Sequence, residues 1–186
     1  MSFAQFIVIP IFISIQAFVL MLITPYVPFT TGVLGAGLLT WVSFQAWAMY
    51  FLGGCTVKMG LKTIAGYIGG IIASIAIFEL GDLFAQAMGV YWGYAIAVFI
   101  VVIPVISAEK IPGLDFIPSW FIGAGVFFAF MSLLGEQLPH TLEGYRTVAV
   151  PELVACVVGL IFGYVTVTFR TRYEDALAPS PVDSDS

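Results

Sequence analysis

Apolar residues fall into six long runs, at about 5–24, 31–52, 62–79, 90–107, 117–135 and 148–169, each without a charged residue at its middle. Runs of this length match the roughly 20 residues a helix needs to cross a bilayer. Inside hydrocarbon every backbone N–H and C=O must find its partner within its own segment, so helices are forced. Polar and apolar residues do not alternate with period two, which excludes a transmembrane barrel. The pattern predicts an all-α integral membrane protein, a six-helix transmembrane bundle over residues 1–172. The connections are short apart from 108–116 and 136–147, and residues 81–86 read as a short interfacial helix. Residues 173–186, small, polar and acidic (Glu174, Asp175, Asp183, Asp185), predict a disordered cytoplasmic tail. The first run starts almost at Met1, with no basic leader and no small-residue cleavage pattern, and reads as a retained helix.

Composition supports the same class. The chain has 186 residues, of which 61% are hydrophobic and 9% charged, and its mean hydropathy is +1.07. Soluble domains carry about 25% charged residues. The length accommodates one compact bundle, and no basic patch points to nucleic acid. With six spans, Lys58, Lys62, Lys110, Arg170 and Arg172 share one side and Arg146 stands alone on the other. The positive-inside rule then places both termini in the cytoplasm, and dropping any one span divides the cations more evenly.

Two halves of the sequence echo each other. The third run carries Gly66 and Gly70, the sixth carries Gly159 and Gly163, and the first and fourth end in proline-interrupted stretches around Pro25 and Pro104. Three spans per half gives the halves opposite orientations, the inverted-repeat arrangement of many transporters and channels. The same small-residue spacing also serves ordinary helix packing.

Helix two is the most distinctive segment. Trp41, Phe44 and Gln45 share a face, with Thr40 and Ser43 close by, so an amide and aromatic rings project together as in a pore for a small polar solute. The plainer reading has Gln45 bonding a neighbouring helix and the rings packing in the bundle. Helix five opens with Pro118, well placed at a helix start, followed by Ser119, Trp120, Phe121 and small residues. Trp120 and Phe121 complete the candidate pore lining. The turn 53–62, with its glycines and Lys58 and Lys62, either binds an anion at the start of helix three or simply sets orientation.

Candidate chemistry is sparse. Glu152 follows Pro151 at the expected start of helix six, where the helix dipole favours an acid. Glu79 and Asp82 fall at the outer interface, and His140, the lone histidine, lies in an outer loop beside Glu136 and Glu143. Cys55 and Cys156 have no paired spacing. No metal site, cofactor or catalytic residue is expected. No ionisable residue occupies the middle of a predicted span, which argues against proton-coupled transport, because relays and carriers need such residues.

The stretches Gly37 to Trp41, Tyr50-Phe51, Gly60 to Lys62, Phe116 to Pro118, Phe121 to Ala124 and Gly159 to Tyr164 resemble a family of bacterial inner-membrane proteins catalogued as domain of unknown function 1097. The resemblance implies a small multi-pass protein of the bacterial inner membrane and carries no settled activity. The chain departs from the family in its longer outer loop around His140 and its acidic tail. Two functions fit the sequence: a channel or facilitator for a small neutral or weakly charged solute, and a non-transporting structural or accessory subunit of a membrane assembly. The expected partners are the lipid bilayer and either further copies of the chain or other membrane subunits.

Overall fold

The computed structural model describes residues 1–27, 37–135 and 137–178. The expected helix start near residue 31, Glu136 and residues 179–186 of the expected tail lie outside the described residues, whereas the first part of that tail, 173–177, continues the last helix and is not disordered. All regular structure among those described is helical. A capping box between Ser2 and Gln5 opens α1 (Phe3–Phe6). Pro10 has no N–H to offer the Phe6 carbonyl, and the helix resets at Ile7 before α2 (Val8–Ile23). With the 3-10 turn Thr24–Tyr26 these form one apolar segment, Phe3–Tyr26.

Helix α3 (Gly37–Leu52) ends at Gly54, whose φ of 87° only glycine adopts readily. Thr56 then caps α4 (Val57–Met88) by accepting from the Met59 N–H. Gly89 separates α4 from α5 (Val90–Ser107), and α6 (Ile117–Leu133) follows with Pro118 in its first turn. Thr141 caps α7 (Leu142–Leu177). Four segments are long and apolar enough to cross a membrane: Phe3–Tyr26, Val57–Met88, Val90–Lys110 and Leu142–Leu177, with α6 apolar but shorter. The protein is a membrane-embedded helical bundle.

Two elements differ from the sequence reading. Residues 81–86 are no separate interfacial helix, because α4 runs unbroken through them to Met88. The last helix begins at Leu142, ten residues before Glu152, because Thr141 supplies the cap. Helices α4 and α7 have 32 and 36 residues, about 48 and 54 Å at 1.5 Å per residue, and so extend well beyond a hydrocarbon core of about 30 Å.

The halves α2-α3-α4 and α5-α6-α7 pack as an exchanged pair. Helix α3 lies along α7 and α6 lies along α4, with α5 against α4 and α2 against α7. Each pairing rests on the same three-residue pattern. The Ser119 hydroxyl meets the Lys62 carbonyl at 3.5 Å, and the Ser43 hydroxyl donates to the Ala155 carbonyl at 3.0 Å. One turn further along, Gly66 lies on Ser119 and Gly159 on Ser43. A further turn brings Gly70 onto the Trp120 and Ala124 backbone and Gly163 onto Tyr50. Both pairs run parallel, whereas α4 and α7 are antiparallel, as the Tyr145–Glu79 hydrogen bond together with the approach of Gly60 to Leu160 requires. The result is an all-α bundle whose core gathers Val42, Tyr67, Val126, Phe127, Ala155 and Cys156.

Candidate functional site

Most polar side chains inside the bundle are spent on holding helices together. The Gln16 amide donates to the Phe162 carbonyl and accepts from the Thr166 hydroxyl at 2.7 Å, fastening α2 to α7. Thr24 and Thr40 share a hydrogen bond of 2.9 Å, which ties the 3-10 turn to α3. Ser74 donates to the Ala124 carbonyl.

Glu152 is the exception. It is 0% exposed, and both carboxyl oxygens lack a hydrogen-bond partner. Its position follows from local sequence. The Thr141 cap starts α7 early, so by Glu152 the helix is almost three turns into the bundle. Pro151, also buried, removes the N–H that would serve the Thr147 carbonyl and loosens the helix one residue before the acid. Tyr145 donates to Glu79 Oε1 at 2.9 Å near the His140 end. Glu152 lies seven residues further along α7, about 10 Å deeper.

Tyr67 of α4 faces this region. It too is 0% exposed, its hydroxyl has no partner, and it shares a core cluster with Cys156. Cys156 sits one turn beyond Glu152 on the same helix and is fully buried. Trp47 of α3 also has an unpartnered N–H and packs against Phe162, 5.6 Å between ring centres. Unsatisfied buried polar atoms are rare in native folds, and an ionisable side chain inside a membrane bundle marks a functional site by default.

The residues singled out in the sequence divide among three places. Thr40 and Ser43 are buried and bonded between helices. Trp41, Gln45 and Phe121 line an open groove of about 240 Å³ between α3 and α6, whose floor is Val42 and Val126 of the core. Phe44 stacks on Trp47 at 6.0 Å. Trp120 covers Gly69, donates its N–H to the Leu114 carbonyl at 3.0 Å and faces a second groove, of about 310 Å³, beside α5. Gly66, Gly70, Gly159 and Gly163 all lie at helix contacts.

Sequence reasoning missed Glu152, Tyr67 and Gln16. Glu152 falls within the run 148–169, and only its apparent place at a helix start disguised it. Gln16, an amide in the middle of the first run, was a readable signal.

The remaining charges cluster at the two ends. Near His140, Asp82 accepts from the Tyr94 hydroxyl and pairs with the His140 Nδ1, both at 2.6 Å, while the His140 ring packs 4.3 Å from that of Phe78. At the opposite end Lys62 pairs with exposed Asp115 at 2.6 Å, and that hydrogen bond holds the Asp115 carboxyl below its ordinary range. Lys62 is therefore already partnered, and Thr56 satisfies the Met59 N–H in the first turn of α4. No group of three metal-ligating side chains occurs among the described residues.

No curated protein and no solved structure matches the chain. One family model, described as a protein of unknown function, DUF1097, matches residues 7–170. That match takes in most of the helical bundle, the paired glycines and Glu152, and the chain therefore belongs to the DUF1097 family.

Proposed function

We propose that the protein is a facilitator for a small neutral or weakly charged solute, working by movement of one inverted repeat against the other. The observation that carries this reading is the unpartnered Glu152 carboxyl, buried on α7 where that helix packs between α3 and α4, with the unpartnered Tyr67 hydroxyl buried in the same bundle. Transporters built from inverted repeats bind their cargo at the repeat interface near the bilayer midplane. The α3–α6 groove offers the route inward. These two helices touch each other little, Gln45 supplies an amide on the wall, and Val42 and Val126 belong both to the groove and to the core that holds Tyr67. Trp41 and Phe121 are its aromatic flanks, 66% and 55% exposed in a single chain.

The protein belongs, on this reading, in the bacterial inner membrane with both termini cytoplasmic. It acts without catalysis or a cofactor, as an oligomer of its own chain. An accessory-subunit role is the competing reading, favoured by the tight glycine contacts and by the commitment of Thr40 and Ser43 to helix packing.

Flux of a panel of small neutral and weakly charged solutes into liposomes containing the purified protein separates the two. Facilitation predicts flux for at least one solute and a marked reduction in Gln45→Leu. Zero flux across the panel would leave the accessory role.

A further inference from the structure

Nine Ser, Thr, Gln and Glu side chains are buried among the described residues, and eight of them are hydrogen-bonded. Glu152 is the ninth. An ionised carboxylate without a partner in so apolar a setting costs several kcal/mol. Nothing packed against α7 offsets that cost. Helices α2 and α6 carry no titratable side chain, and α3 carries only Tyr50, which donates to the Cys55 carbonyl. On α4, Lys58 is exposed at the helix start, Lys62 is taken by Asp115, and Glu79 and Asp82 bond Tyr145, Tyr94 and His140 at the far end. On α7 itself the nearest cation, Arg146, is exposed six residues away. The other ionisable groups buried in the middle of the bundle, Tyr67 and Cys156, are not cations.

We infer that Glu152 is a proton-binding site and that its proton is linked to opening of the bundle. In the closed, dry arrangement the carboxyl holds the proton. Releasing it leaves a carboxylate that must be met by water or a cation, and either can arrive only if the repeats part. If the solute-passage reading holds, on which this step rests, passage is coupled to that proton, so that a proton gradient can drive it. The bound proton enters from one side of the membrane with the solute and leaves to the other. The expectation drawn from charge-free spans took Glu152 for an acid at a helix start, whereas it lies almost three turns inside α7.

Cys156, one turn from Glu152, reports opening without any solute. In full-length protein carrying Cys55→Ser it is the sole thiol. Its modification by N-ethylmaleimide in proteoliposomes is followed from mildly acidic to mildly alkaline pH, beside the same protein with Glu152→Gln. Dividing the two rates removes the thiol's own titration. The ratio is expected to rise with pH, by at most about tenfold per unit for one linked proton, and Glu152→Asp is expected to retain the rise. A ratio that is flat with pH overturns the proton site. For any solute that crosses, accumulation driven by a pH gradient is expected in the parent protein and lost in Glu152→Gln, while exchange at equal pH persists. Uptake indifferent to the gradient overturns the coupling and leaves facilitation standing. Absence of all flux overturns facilitation, and the labelling ratio still decides the proton site.

Discussion

Pro151 and Glu152 are adjacent, both are buried, and each lowers the stability of the helix that contains it. The proline forfeits a backbone hydrogen bond, and the acid leaves two oxygens unpartnered. Natural folds keep such costs where function needs them. Replacing Glu152 by leucine, of similar size and without polar atoms, is expected to stabilise the purified protein by about 1–3 kcal/mol, the usual penalty of an unsatisfied buried group. Thermal unfolding in detergent measures this, and a variant that melts below the parent would mean that the carboxyl has a stabilising partner. Glu152 was visible in the sequence as an acid within an apolar run. Its burial was not, because a cap ten residues upstream decides whether it stands at a helix start or inside the bundle.

Between helices, contact depends on residues that have no side chain to spare. A Cβ on Gly70 would run into the Trp120 carbonyl and the Ala124 N–H, and one on Gly159 into the Ser43 carbonyl, which are backbone atoms that cannot step aside. Gly70→Ala and Gly159→Ala are therefore each expected to destabilise by about 1–3 kcal/mol. Gly125, with nothing within 4 Å of its Cβ position and lying on the open α3–α6 groove, is the internal control. Gly125→Ala is expected to be neutral or to gain up to about 1 kcal/mol from helix propensity. Equal losses at all three positions, measured by thermal melting, would mean that alanine acts through something other than helix contact. The glycine pairs were legible from sequence as packing candidates. Their partners were not, since one-dimensional spacing cannot say that Ser43 and Ser119 occupy corresponding places.

At the level of the whole molecule, the proposed orientation, with both termini cytoplasmic, rests on the six-run pattern and on the five-to-one division of Lys and Arg. A C-terminal green fluorescent reporter is accordingly expected to be bright in bacterial cells, and an alkaline phosphatase fusion at the same point inactive. The opposite outcome would reverse the orientation and carry the His140 cluster to the cytoplasm.

Membership of a membrane, helical structure and the approximate course of the helices are all legible along the chain. Hydropathy and backbone hydrogen bonding are local properties, so continuous apolar runs suffice for that. Which polar residues are consumed and which are left over emerges from packing alone. Thr40 and Ser43 look free in the sequence and are bonded across helices. Glu152 looks satisfied by a helix dipole and is buried without a partner. Whether a polar atom has a partner depends on what another helix brings to within 3 Å of it, and no pattern along a single segment contains that information.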